Sequence, residues 1–122
     1  MSSSFVLQQA PFVVPTKDGK LIEEHVGRVI SNEKGLSIAH MVAPSGWREP
    51  FQNPEFDEYT LVYSGKMQVE VDGQTHVLEA KQSILVKGGS RVRYSNPFDQ
   101  PSHYCSVCIP AFSPETVNRE ED

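Results

Sequence analysis

The sequence predicts an all-β domain built as a barrel or a two-sheet sandwich, on three observations. Segments of β-favouring residues recur along the chain, turn signals separate them at regular spacing, and no helical period appears before the acidic end. The segments are "FVLQQAPFVV", "LIEEHVGRVI", "LSIAHMV", "DEYTLVY", "MQVEV", "QTHVLE", "SILV", "RVRYS" and "HYCSVCI". Between them lie "TKDGK", "SNEKG", "APSG", "YSGK", "VDGQ", "VKGGS" and "NPFDQPS", which supply the glycine, proline and Asn/Asp that turns require.

Each element has its own justification. The N-terminal stretch from Phe5 and the segment from Leu21 are expected to be strands that pack on the barrel or on a partner, within residues 1–34. "LSIAHMV" sets Leu36, Ile38, His40 and Val42 on its more apolar face, so His40 is expected either to line an interior cavity or to be a satisfied core histidine. In residues 58–63, Glu58, Thr60 and Val62 share one face and Tyr59, Leu61 and Tyr63 the other, with neither face wholly polar. A strand covered on both sides follows. If Glu58 points inward, the tyrosine face is the candidate contact with a second subunit. "MQVEV" and "QTHVLE" flank Asp72-Gly73, the strongest hairpin signal of the chain, and Met67, Val69 and Val71 mark its buried face. Tyr94 shares parity with Val92 and should project inward, whereas Arg91 and Arg93 should be solvated or at a subunit contact. On the last strand Val107 and Ile109 form the more apolar face, which carries Cys105 and His103 inward by alternation. The tail "SPETVNREED", within residues 111–122, is acidic, lacks a core pattern and is expected to be ordered for only a residue or two.

Composition narrows the function classes. One core is all that 122 residues build, and β-domains of this size gain further burial by pairing, so a homodimer is expected. A net charge of −5 with scattered Lys and Arg argues against nucleic acid, and no apolar run approaches a membrane span. With neither a basic start nor a sustained apolar run at the N-terminus, a cytoplasmic protein is expected. The CxxC of Cys105 and Cys108 lies in a strand, where residues three apart face opposite ways, so the two read as ordinary reduced thiols.

The spacing of particular residues then becomes informative. Gly46 is followed by Gln52, Pro54, Glu58 and Gly65, and a second set runs through Lys81, Lys87, Gly89, Val92 and Asn96. In this spacing the chain resembles the cupin superfamily, over about residues 35–110. The resemblance implies a double-stranded β-helix, or jelly-roll, barrel. Cupins carry His-x-His at the positions of Gln52 and Pro54, a glutamate as at Glu58, and a further histidine at the position of Val92. Gly46, Glu58, Gly65, Gly89 and Asn96 match; the three histidines do not, and Lys81 and Lys87 stand where the second motif has glycine and proline. What remains is one carboxylate and one amide, a poor transition-metal site. The "FDEY" segment is similar to the "YDE" of EutQ-type cupins. Ectoine synthases keep the glutamate and a comparable "QN", but their tyrosine and histidine ligand positions are Ile84 and Val92 here.

The expected function is therefore binding of a small organic molecule in the barrel cavity without the usual metal and with no cofactor. The expected ligand-binding residues are Gln52, Glu58, Thr60, Val92, Tyr94, Cys105, His40 and His103. Glu58 is the candidate catalytic group, since a carboxyl inside a barrel has a raised pKa suited to acid–base work; its other reading is a structural carboxylate. The alternative function is a lyase or isomerase in which Glu58 acts with His40 or His103, with or without a weakly held divalent metal. A solid interior would instead indicate a structural module. Arg48 is read either as attracting an anionic ligand or as a surface arginine, and His25 and His76 as ordinary strand positions.

Overall fold

A computed structural model describes residues 4–121; residues 1–3 and 122, the outermost parts of the N-terminal segment and the acidic tail, lie outside it. Among the described residues nine strands form: β1 (Phe12–Val13), β2 (Leu21–Val26), β3 (Ser37–Ala43), β4 (Asp57–Ser64), β5 (Met67–Val71), β6 (Gln74–Leu78), β7 (Ser83–Val86), β8 (Val92–Ser95) and β9 (Ser102–Ile109). A six-stranded sheet in the order β1-β2-β3-β9-β4-β7 faces a three-stranded sheet in the order β6-β5-β8, with antiparallel pairing throughout. This is the jelly-roll arrangement, and its core is the seam between the two inner faces. Val62, Met67, Val69, Leu78, Val86 and Val92 are buried there together with Trp47, Tyr94 and Tyr104.

The hairpin at Asp72-Gly73 forms as expected, with both residues at positive φ and β5 paired to β6 from Met67–Leu78 to Val71–Gln74. At the β4–β5 turn, Gly65 has φ 78° and a Cβ there would lie 2.3 Å from the carbonyl oxygen of Pro101, so only glycine fits. Asn96 is fully buried. Its Nδ2 donates to the carbonyls of Ala43, Pro44 and Gln100 and its Oδ1 accepts from the amide of Phe98.

Several local expectations change. Residues 5–9 form no strand, because no sheet edge takes up their backbone bonds; of this segment Phe12 and Val13 pair, with Glu24 and Glu23. The segment from Leu21 stops at Val26, where Gly27 admits a short helix, α1 (Arg28–Ser31); Glu24 Oε2 accepts from the amides of Val29 and Ile30 at its start. The acidic tail is ordered through Glu121. Val117 packs with Phe56 and Cys108, Arg91 forms a two-pronged ion pair with Glu120, and the Glu120 amide donates to the Phe51 carbonyl. No helix among the described residues is long and apolar enough to cross a membrane.

Candidate ligand-binding cavity

The inward parity of β3 and β9 determines the site. Ser37, Ala39, Met41 and Ala43 point inward from β3, and Ser102, Tyr104, Ser106 and Cys108 from β9. The register sets Ser37 opposite Cys108 and Ala39 opposite Ser106. Four small side chains on neighbouring strands leave space where a packed sandwich would place leucine or isoleucine. A cavity of about 510 Å³ occupies that space, walled also by Trp47, Glu49, Gln52, Phe56, Glu58, Tyr94, Lys20 and Arg119. The interior is not packed solid.

Three expected site residues therefore move. His40, His103 and Cys105 stand on the outer face of the six-stranded sheet rather than in the barrel. Inward parity on β3 and β9 follows the smaller residues, Ser37, Ala39, Ser106 and Cys108, because those strands line an open cavity instead of a packed core. His40 and Cys105 are register partners, and the Nδ1 of His40 lies 2.9 Å from a Glu23 carboxylate oxygen. The rings of His40 and His103 are 6.2 Å apart, and Tyr63 stacks on His40 at 6.3 Å. Neither histidine reaches Glu58, so the acid–base pairing expected for them does not form. Cys108, not Cys105, faces the cavity, and its thiol is held neutral by burial, which pushes its pKa up.

Gln52, Glu58 and Tyr94 do line the cavity. Val92 is fully buried beneath it, and the Gln52 and Val92 backbones exchange both hydrogen bonds at 2.9 Å, which joins the two sequence motifs across the barrel. Thr60 points inward and is fully buried in the core below. Burial raises the pKa of Glu58, while the Ser106 hydroxyl, which donates a short hydrogen bond to its Oε2, works the other way. Arg48 is exposed, Arg93 pairs with Glu70 at 2.7 Å, and both Arg91 and Arg93 lie over the Phe51 ring.

The sequence reading missed four groups. Lys20, treated as part of a turn, extends its ammonium 4.3 Å above the Trp47 ring and 5.2 Å from that of Tyr104. Desolvation lowers its pKa, against the attraction of Glu49, Glu58 and Asp18. Glu49 is buried, and desolvation raises its carboxyl to about 7, with Lys20 opposing. Tyr104 and Arg119 complete the set, with Arg119 reaching Gln52 Oε1 at 3.4 Å. The signal available in sequence was the "GWRE" segment, where a tryptophan and a glutamate share parity directly after the motif glycine.

The donor set does not fit the metal that the resemblance implies. Pro54 offers no donor, Val92 offers a methyl group, Gln52 is engaged by Arg119, and Glu58 is engaged by Ser106. Among the described residues, no three His, Cys, Asp or Glu side chains converge as a metal site.

Comparison with known proteins agrees with this architecture. A family model described as Cupin domain matches residues 39–109. The chain belongs to the cupin family. An RmlC-like cupin from Shewanella frigidimarina superposes on it with a TM-score of 0.74 at 16% identity, over 94% of this chain and 97% of that one. The EutQ protein of Clostridium difficile superposes with a TM-score of 0.60 at 18% identity, over 75% of this chain and 63% of that one. At such identities the likeness is one of fold. In sequence, this cupin is 43% identical over 108 residues to a Myxococcus xanthus protein named endoribonuclease YbeY. That match takes in 88% of this chain but only 37% of the relative's length.

Proposed function

We propose that this cupin binds a small organic molecule in its barrel cavity, without a transition metal and with no cofactor. The observation that carries the reading is a set of buried polar atoms with no partner among the described residues. They are Glu49 Oε2 and the hydroxyls of Tyr94 and Tyr104, and all three residues line the cavity. Leaving each such atom unpaired costs about 1–3 kcal/mol, a cost that a bound polar molecule offsets. A ligand selective for the folded state must raise the melting temperature, so a thermal-shift screen of small carboxylates, sugars and carbonyl compounds tests the reading. One tightly bound zinc, iron, nickel or manganese per chain in an untreated preparation would sink it.

Glu58 is the group expected to orient the ligand. For a compound that raises the melting temperature, Glu58→Gln should weaken binding by about 1–3 kcal/mol, the loss of one charge-assisted hydrogen bond. Calorimetric titration of the two proteins gives the difference directly. An unchanged affinity would leave Glu58 as a structural partner of Ser106 alone.

A lyase or isomerase activity is the second reading. It is favoured by Glu49 and Glu58, two carboxyls of raised pKa on one cavity wall, a pattern suited to moving protons near neutral pH. The partner of Glu58 in such a reaction is Glu49 or Lys20, not a histidine.

The reading includes a homodimer in the cytoplasm. Tyr59, Leu61 and Tyr63 are 42%, 42% and 54% exposed on the outer sheet face, and Phe5, Val6 and Leu7 of the same chain are each more than 70% exposed. Two apolar surfaces on one chain, neither covering the other, are complementary between two copies. Light scattering at micromolar concentration should give twice the 13.6 kDa chain mass, and Leu61→Glu should halve it. A monomer mass for the unsubstituted protein would count against the dimer.

A further inference from the structure

Most polar groups around the cavity have an evident structural task. Asp18 accepts from the Trp47 indole at 2.7 Å, Glu24 caps the short helix, Glu58 accepts from Ser106, and Arg119 reaches Gln52. Four groups remain without one. They are the Lys20 amine, the Glu49 carboxyl and the Tyr94 and Tyr104 hydroxyls. Lys20 makes no ion pair or hydrogen bond through its side chain among the described residues; its amine rests against the Trp47 and Tyr104 rings, with Glu49, Glu58 and Asp18 acting on it at longer range.

We propose that Lys20 is a nucleophilic amine that forms a reversible imine with a small aldehyde or ketone held in the cavity, with Glu49 as the proton donor. The proposal rests on the reading of the cavity as a small-molecule site and names the class of molecule. In the step, the nitrogen lone pair of the uncharged amine forms a bond to the carbonyl carbon while the C=O π bond opens. The oxygen takes a proton from Glu49, and a nitrogen proton passes to the resulting carboxylate. The hydroxyl then leaves as water, with Glu49 again supplying the proton, the nitrogen lone pair forms the C=N bond, and the remaining nitrogen proton returns to the Glu49 carboxylate. One amine and one carbonyl give one imine and one water, with no oxidant or reductant. The four free groups suit these tasks. Desolvation favours the uncharged amine, a carboxyl near neutral pKa exchanges its proton readily, and the two phenols, held neutral by burial, donate to the carbonyl oxygen.

The test uses the folded, unsubstituted protein at pH 7 with dihydroxyacetone and cyanoborohydride, which reduces an imine to a stable secondary amine. Peptide mass spectrometry then gives the rate at each lysine. Lys20 should be modified at least tenfold faster than Lys17, Lys34, Lys66, Lys81 or Lys87, and the preference should vanish in guanidinium. Glu49→Gln should slow Lys20 severalfold and leave the other five unchanged. A Lys20 that labels no faster than the surface lysines, or equally fast in Glu49→Gln, overturns the proposal. If glycerol or another non-carbonyl compound raises the melting temperature while Lys20 stays unlabelled, the cavity reading stands and the imine does not. Absence of both labelling and any thermal shift would end both.

Discussion

Replacing Asn96 by alanine should destabilise the protein by about 3–5 kcal/mol, read as a lower denaturant midpoint at unchanged slope. The side chain is fully buried and ties three loop carbonyls and one amide together. Ala43 ends β3 and Pro44 follows it, and Phe98 and Gln100 lie in the turn before β9, so one amide joins the loop after β8 to the ends of both strands that wall the cavity. Alanine removes all four bonds and leaves the buried carbonyls without the amide donor. Asn96→Asp is the informative partner, because it keeps the shape and the acceptor but loses the donor. It should lose nearly as much stability. An aspartate variant as stable as the original would show that the three carbonyls do not need the amide hydrogens.

Asn96 also shows what kind of information was legible in the sequence. The turn residues were, since each punctuates the chain for a local reason: Asp72-Gly73 closes a hairpin and Gly65 sits where a Cβ would strike Pro101. The inward parity of β4, β5 and β8 was legible because those strands bury Val62, Met67, Val69 and Val92, and apolar alternation marks a packed face. The same rule failed on β3 and β9. There the inner face is Ser37, Ala39, Ser106 and Cys108 and the outer face is Ile38, Val42 and Val107, so the more apolar side is the outside of the sheet. Alternation measures relative hydrophobicity, and it points the wrong way when one face lines a cavity with small side chains and the other is an apolar surface. Both features that mislead the rule are the ones on which the proposed function rests.

Lys20 and Glu49 were hidden for another reason. Neither lies on a strand, and their meeting depends on the segment before β2 crossing the cavity wall toward the loop after Gly46. No local spacing encodes that. The tail was hidden likewise, because Val117 and Arg119 are isolated among polar residues and find their partners elsewhere in the fold, Val117 against Phe56 and Cys108 and Arg119 at Gln52.

Stability should fall as the pH rises from about 5 to 8, by up to about 3 kcal/mol, and Glu49→Gln should remove most of that slope. Glu49 has its folded pKa raised from 4.5 to about 7. Between those values the folded state holds a proton that the unfolded state has lost, so folding is favoured on the acid side and the advantage disappears as the pH passes 7. Glu58, also raised by burial, acts in the same direction. Lys20 acts oppositely. Desolvation lowers its folded pKa from 10.5, so its contribution makes stability rise with pH through the window below 10.5. Asp18, Glu115 and Glu120 have lowered pKa values and contribute stability above the ordinary carboxyl range, lost as the pH falls through it. The resulting optimum lies on the acid side of neutrality, set by a carboxyl that the fold keeps desolvated at the cavity wall. Denaturant midpoints of the two proteins at half-unit steps from pH 4.5 to 8.5 give the comparison. Parallel curves would mean that Glu49 titrates normally, that its carboxylate is solvated in the folded protein, and that the cavity holds no carboxyl able to donate a proton near neutral pH.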